Sequence, residues 1–222
     1  MGEHVTFRSN GAMCDGYLAG SSDPGVIVIQ EWWGLVPHIR DVVERFATAG
    51  FTALAPDLYH GDTASEPDGA GKLMMALNIE QAAKDMSGAV DLLLERTGRD
   101  AVGVVGFCMG GGLALVLACH RPDAVKAVAP YYGLIPWESA QPDWSKLDAV
   151  VVGEYGERDE FFPPEAARGL EARLRDLGKD ATIHIHDGCD HAFFNDTRPE
   201  VYDPVHAAEA WERTTELFRR VL

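Results

Sequence analysis

A short segment, Gly106-Phe107-Cys108-Met109-Gly110, places a cysteine between two glycines at the junction of two apolar runs. The run 101–105 before it predicts a buried strand, and the run 111–118 after it predicts a buried helix. A nucleophile between glycines at such a strand-to-helix turn is typical of the nucleophile elbow. Glycine is needed because a side chain would clash in so tight a turn. The helix N-terminus favours a thiolate, so Cys108 is the candidate nucleophile, with an inert buried cysteine as the alternative.

A cysteine nucleophile needs a base, and the base needs a group that orients it. Enzymes with a nucleophile elbow supply them in the chain order nucleophile, acid, histidine. Asp159 follows the predicted strand 149–153, and His191 follows the last predicted strand, 181–186. The carboxyl ends of parallel strands meet at one edge of a sheet, so both side chains are expected near Cys108. Asp159 is the preferred acid, and three nearby carboxylates are alternatives: Glu154, Glu157 and Glu160.

Acyl transfer also needs two backbone amides that hold the negative oxygen formed during attack. One is expected from Met109, directly after the nucleophile, and the other from Trp32, in the loop after the predicted strand 25–30. Glu31 ends the same strand and is expected close to the thiol. Trp32 and Trp33 would bury its surroundings, whereas the alternative interpretation of Glu31 is a solvated loop carboxylate.

Strand-like and helix-like segments alternate along the chain, which predicts one α/β domain over residues 1–222 with a mainly parallel sheet. A turn at Asn10-Gly11 predicts an N-terminal hairpin. Further strands are expected at 25–30, 52–55, 101–105, 125–129, 149–153 and 181–186. Helices are expected at 41–49, 74–96, 111–118, 164–177 and 204–221, and a long loop at 60–71.

Four motifs together resemble the dienelactone hydrolase (carboxymethylenebutenolidase) family across essentially the whole chain. They are Glu31-Trp32-Trp33-Gly34, Pro56-Asp57-Leu58-Tyr59, Gly106-Phe107-Cys108-Met109-Gly110-Gly111 and Asp190-His191-Ala192-Phe193. The resemblance implies an α/β-hydrolase fold, with helices on both faces of a mainly parallel sheet. It also implies that Cys108 is the nucleophile, His191 the base and Asp159 the carboxylate that orients it. In the same way, Glu31 is implied to hydrogen-bond the resting thiol and to help form the thiolate.

The resemblance further implies hydrolysis of a lactone or small ester, by way of a thioester acyl-enzyme. The family's namesake reaction opens an unsaturated lactone that bears a carboxylate. Type members bind that carboxylate with an arginine four residues after the histidine, where this chain has Asn195, with Arg198 three residues further on. These two residues, with Tyr59 and Phe161, are the predicted substrate-binding side chains. Turnover of dienelactone itself is left open by this departure.

Composition narrows the class of protein. Asp and Glu outnumber Lys and Arg by 35 to 19, a formal charge of −16, which argues against nucleic acid and anionic membranes as partners. There is no secretory signal pattern and no apolar run of bilayer length, so a cytoplasmic protein is expected. The scattered cysteines predict free thiols rather than a zinc site or disulfide framework. We expect no cofactor, a small-molecule lactone or ester as the partner, and a monomer or small homo-oligomer.

The sequence leaves two alternative functions open. His184, His186 and His191 lie close together in the sequence and would serve a metal-dependent hydrolase, but their spacing matches no standard zinc pattern. The preferred interpretation places His184 and His186 on a solvated strand face. The second alternative is a non-hydrolytic thiol protein, redox or binding, on the hydrolase fold, since a fold alone does not prove activity.

Overall fold

The computed structural model describes residues 2–133 and 135–222. Eight strands form one sheet in the order β1-β2-β4-β3-β5-β6-β7-β8. Pairing is antiparallel from β1 to β2 and from β2 to β4, and parallel from β4 through to β8. The strands are β1 Glu3–Ser9, β2 Ala12–Ala19, β3 Gly25–Ile29, β4 Thr52–Pro56, β5 Val102–Phe107, β6 Val125–Tyr131, β7 Val150–Gly156 and β8 Ala181–His186.

Helices cover both faces of this sheet. They are α1 Pro37–Thr48, α2 Pro67–Ala76, α3 Ile79–Thr97, α4 Met109–His120, α5 Pro164–Asp176 and α6 Pro204–Val221. Alternate residues of β3 enter two separate cores: Ile27 packs with α3 and α4, whereas Val26 packs with α1 and α6. This period of two is what a strand buried on both faces requires. The predicted α/β architecture is therefore confirmed.

The helical segments before β5 differ from the prediction. A single helix at 74–96 was expected after a loop at 60–71, but the chain forms α2 and α3, separated at Leu77-Asn78. Pro67 starts α2 because its fixed φ angle suits a first helical turn. Asn78 starts α3, since its side chain accepts a hydrogen bond from the amide of Gln81 at 3.0 Å.

The other boundary differences are small. The helix expected at 41–49 begins four residues earlier, at Pro37, again with proline in its first turn. The elbow strand and the strand after it each run two residues further than expected, to Phe107 and Tyr131. Within the described part of the chain, no helix combines the length and apolarity needed to cross a bilayer.

Candidate active site

The turn between β5 and α4 holds Cys108 in a backbone conformation that L-residues rarely adopt, with φ at 55° and ψ at −120°. A Cβ on Gly106 would lie 2.0 Å from the carbonyl oxygen of Gly110, and a Cβ on Gly110 would lie 2.4 Å from that of Gln30. Both glycines are therefore required by close backbone approach, which confirms the steric reason predicted for them. The turn leaves the Cys108 side chain half-buried at the edge of a cavity.

His191 and Asp159 meet across two loops, one after β8 and one after β7. The Nδ1–H of His191 donates to Oδ2 of Asp159 at 2.7 Å. The other oxygen, Oδ1, accepts the backbone N–H groups of Phe161 and Phe162, each at 2.9 Å. Asp159 is buried, so these three donors fix its orientation and that of the histidine ring.

The pKa of His191 reflects its two polar neighbours. Burial lowers this pKa, but the hydrogen bond that His191 donates to Asp159 and a hydrogen-bonding interaction with the Cys108 side chain outweigh burial and raise it to about 10. The charges of the same two groups act in the same direction. The imidazolium form of His191 is thus favoured beside Cys108, which suits a histidine that takes a proton from a thiol.

Glu31 is buried and accepts hydrogen bonds from neutral groups. Its Oε2 accepts the side-chain N–H of Asn195 at 2.9 Å, and its Oε1 lies 3.5 Å from the hydroxyl of Tyr132. The amide of Asn195 is oriented by Thr197, whose backbone N–H and hydroxyl both donate to its Oδ1, at 3.1 and 2.6 Å. The amide NH₂ must therefore face the carboxylate, so Glu31 is tethered without a cation.

The amides predicted to hold the oxyanion belong to Trp32, in the turn after β3, and to Met109, the first residue of α4. Within residues 2–133 and 135–222, neither amide donates a hydrogen bond to another protein atom. Both are therefore available to a bound oxygen, and the N-terminus of α4 adds its dipole at the same place.

A cavity of about 710 Å³ opens over these groups at the carboxyl edge of the parallel strands. Its described walls are mainly apolar, and they include Trp32, Trp33, Val36, Pro67, Met74, Pro136, Phe161 and Phe162. The polar or charged side chains that reach it are Glu31, His38, Ser65, Cys108, His191, Asn195, Thr197, Arg198 and Glu200. Such a lining suits a small, largely apolar ligand with one reactive polar group.

Three of the four predicted substrate-binding residues line this cavity, namely Phe161, Asn195 and Arg198. Tyr59 does not, which corrects that prediction: its side chain is buried, and its hydroxyl lies 3.3 Å from Sδ of Met109. The turn that carries Tyr59 is folded inward, because Asp57 accepts the backbone amides of Tyr59 and Gly61.

Sequence reasoning missed two residues that matter to the site. Tyr132 directly follows β6, so its place at the carboxyl edge of the sheet was a usable signal. Its ring lies 5.0 Å from that of His191, and its hydroxyl reaches Glu31. Glu200 pairs with Arg198, with Nε to Oε1 at 2.9 Å, and no sequence pattern indicated that contact.

The interpretation of His186 as solvated was wrong. Its ring is buried, and its Nε2 lies 2.7 Å from Oε2 of Glu154, a carboxylate that Arg213 also binds through two hydrogen bonds of 3.0 Å. Glu154 is therefore committed to a separate ion-pair network. The other alternative acids, Glu157 and Glu160, are exposed, and Glu157 binds the amide of Gly188.

The metal alternative required His184, His186 and His191 to converge, and they do not. Among the described residues, the groups close enough to share an ion are His186, His206 and Glu209, and Cys189, Asp203 and His206. Neither group includes His184 or His191. The physical reason is that Asp159 holds His191 in the loop after β8, whereas Glu154 on β7 holds His186 at the end of β8.

The other cysteines are buried free thiols. Burial raises the pKa of Cys14 to about 12, that of Cys119 to about 11 and that of Cys189 to about 12. Each is therefore a protonated, inert thiol at neutral pH. Cys108 differs from all three in being half-buried and in facing the cavity.

Comparison with known proteins gives a consistent result. The model of the dienelactone hydrolase family matches residues 14–222. A relative from Aquifex pyrophilus, called Protein usf, is 37% identical, with 100% of both chains covered. A relative from Aquifex aeolicus (strain VF5), provisionally named as a carboxymethylenebutenolidase, is 34% identical, again with 100% of both chains covered. A crystal structure from Klebsiella pneumoniae subsp. pneumoniae MGH 78578, provisionally described as a dienelactone hydrolase, has a TM-score of 0.89 at 27% identity and covers 99% of this chain and 98% of its own.

The sheet order, the helices on both faces and this structural similarity define an α/β-hydrolase fold, as predicted. The chain belongs to the dienelactone hydrolase family. It is accordingly an enzyme of the carboxylic ester hydrolase class.

Proposed function

We propose that this enzyme hydrolyses small lactones or esters through a Cys108 nucleophile, a His191 base and an Asp159 carboxylate. The observation that carries the proposal is the contact chain from Asp159 to His191 to Cys108, of which His191 and Cys108 lie at the wall of one cavity. A nucleophile, a base within reach of it and a group that orients the base are the parts that covalent acyl transfer needs.

In the first half-reaction, the Cys108 sulfur attacks the carbonyl carbon as a thiolate, while its proton is held by His191 as an imidazolium. The carbonyl oxygen becomes negative, and the amides of Trp32 and Met109 stabilise it, each contributing on the order of 3 kcal/mol in comparable sites. When the carbon–oxygen bond breaks, the leaving oxygen takes the proton from His191. This yields a thioester on Cys108 and a free hydroxyl, which stays attached to the acyl group if the substrate is a lactone.

In the second half-reaction, His191 takes a proton from water while the water oxygen attacks the thioester carbon. The carbon–sulfur bond then breaks, the acid leaves, and the proton on His191 returns to the sulfur. Asp159 keeps the same ring nitrogen of His191 occupied throughout, so the other nitrogen faces the reacting atoms.

Glu31 is proposed to act on the resting thiol. It is a buried carboxylate that lines the cavity with Cys108, and its two oxygens are held only by neutral donors in the described structure. A buried carboxylate whose charge is not offset by a nearby cation is a strong hydrogen-bond acceptor. It is placed to accept the proton of a Cys108 thiol transiently when a substrate carbonyl enters, before that proton is held by His191.

The test is hydrolysis of a panel of small lactones and 4-nitrophenyl esters by the wild type, Cys108→Ala and the matched control Cys119→Ala. We expect turnover by the wild type and by Cys119→Ala, and its loss in Cys108→Ala and after iodoacetamide treatment. Turnover retained by Cys108→Ala would reassign the nucleophile. Loss of turnover with EDTA would favour the metal-dependent alternative, and a panel with no turnover would favour a non-hydrolytic thiol protein.

A further inference from the structure

Every described side chain at the cavity wall that can carry a positive charge is paired with a carboxylate. Nε of Arg198 donates to Oε1 of Glu200 at 2.9 Å. His191 is bound by Asp159 at 2.7 Å. Nδ1 of His38, a buried residue at the start of α1, lies 3.4 Å from Oδ1 of Asp196.

One carboxylate at the wall has no cationic partner at all among the described residues. Glu31 is held by the amide of Asn195 and the hydroxyl of Tyr132, both neutral. Arg198 offsets Glu200, His191 offsets Asp159, and Asp196 is bound by Arg45 as well as by His38, so the charge of Glu31 is the one that no described cation offsets. The formal charge of the whole chain, −16, gives the long-range field the same sign.

The Arg198–Glu200 pair decides how a ligand carboxylate would be received. Both side chains line the cavity, and they are 35% and 58% exposed. Glu200 remains ionised at neutral pH, because a hydrogen bond from its own backbone amide and then that from Arg198 lower its pKa. A substrate carboxylate that bound the remaining donors of the guanidinium would lie next to the negative charge of Glu200, which already offsets that of Arg198.

We propose that the site selects esters and lactones whose acyl part is uncharged, and that Glu200 sets this selectivity by occupying Arg198. The inference rests on the proposed function and specifies its substrate class. An anionic acyl chain loses hydration in the apolar cavity and gains no unpaired cation in return, whereas a neutral chain loses little. An exposed ion pair is weak, so the expected discrimination is several-fold rather than absolute.

The experiment compares two substrates of nearly equal shape: mono-4-nitrophenyl glutarate, which ends in a carboxylate, and 4-nitrophenyl glutaramate, which ends in a neutral amide. The kcat/KM of each is measured for the wild type, Glu200→Gln and Arg198→Gln, with Cys108→Ala supplying the background rate. Glu80→Gln is the matched control, since Glu80 is exposed and pairs with Lys84 at 2.7 Å, away from the cavity.

We expect the wild type to prefer the amide over the carboxylate by roughly threefold or more at low salt. Glu200→Gln should raise the ratio of kcat/KM for the carboxylate to kcat/KM for the amide by roughly three- to fivefold. Arg198→Gln should give no such gain, and Glu80→Gln should match the wild type.

Equal or better turnover of the carboxylate by the wild type would overturn the proposal, as would an unchanged substrate ratio in Glu200→Gln. These results are distinct from failure of the proposed function, in which neither ester is hydrolysed above the Cys108→Ala background.

Discussion

Asp159 and His191 are 32 residues apart in the chain, and yet Oδ2 of the first accepts Nδ1–H of the second at 2.7 Å. Asp159 is buried and is held at its other oxygen by two backbone amides. The carboxylate is thus fixed before it binds the ring, and the ring can present only its second nitrogen to Cys108. The proposed chemistry depends on this fixed orientation.

Asp159→Asn should therefore impair the reaction while leaving the fold intact. The amide still fits, but it no longer stabilises the imidazolium, so we expect kcat to fall by about 10²- to 10⁴-fold. Steady-state hydrolysis of a 4-nitrophenyl ester measures the effect. Glu160→Gln is the control, because Glu160 lies in the same loop but is exposed. A loss no larger than that of Glu160→Gln would exclude the orienting role.

The free energy of unfolding should depend on pH because the pKa of His191 is raised in the folded protein. That pKa is about 10 in the folded protein, against about 6.5 in an unfolded chain. Protonated His191 therefore contributes stability in full below about pH 6.5, and this contribution is lost as the pH rises through about 10. Relative to His191→Gln, the free energy of unfolding of the wild type should fall in this window, by at most about 1.4 kcal/mol per pH unit.

NMR titration of the His191 ring gives an independent measurement. The wild-type ring should stay protonated through neutral pH and titrate lower in Asp159→Asn, which lacks one of the groups that raise the pKa. A wild-type ring that titrates near its ordinary value would contradict the described coupling.

The Glu31–Asn195 hydrogen bond should appear as an energetic coupling. Asn195→Ala leaves a buried carboxylate short of a donor, which should cost about 1–3 kcal/mol in the free energy of unfolding. In a double-mutant cycle with Glu31→Gln, we expect an interaction energy of about 0.5–3 kcal/mol from urea denaturation. Asn78→Ala, at the N-cap of α3, should lower stability additively with Glu31→Gln. If the effects of Asn195→Ala and Glu31→Gln on the free energy of unfolding were also additive, the hydrogen bond between these residues would not hold Glu31.

The elbow glycines should not tolerate alanine. Gly106→Ala places a Cβ 2.0 Å from the carbonyl oxygen of Gly110, so we expect a loss of more than about 3 kcal/mol or no folded protein. Gly71→Ala is the matched control, since a Cβ there meets no atom within 4 Å. Inside α2 it should raise the free energy of unfolding by about 0.5–1 kcal/mol. Equal stability of the two variants would contradict the tight turn.

The sequence predicted best those features that depend on neighbouring residues alone, namely the buried strands and the tight turn at Cys108. The buried strands are continuous apolar runs, and the elbow lies between glycines that only a tight turn requires, so both were predictable. The break at Leu77-Asn78 was not, because the helical periodicity continues through it and the cap depends on a single side chain. The extent of one domain over 1–222 stays a prediction.

Contacts between distant residues were the least predictable part of the site. Asn195 and Glu31 are 164 residues apart, and their hydrogen bond depends on how two loops approach at the sheet edge. For Tyr59, the sequence predicted a place at the cavity wall that the structure does not show. It follows a parallel strand, as wall residues often do, but Asp57 turns its loop inward and its ring is buried instead.

Identification of the residue that carries the acyl group tests the central claim most directly. Wild-type enzyme is mixed with 4-nitrophenyl acetate, quenched in acid within one turnover, digested and analysed by mass spectrometry, with Cys119→Ala as the matched control. The account predicts one acetyl group, on the peptide that contains Cys108, in both proteins, and none in Cys108→Ala. Acetyl groups on another residue during turnover, or steady hydrolysis with Cys108 unmodified, would contradict it.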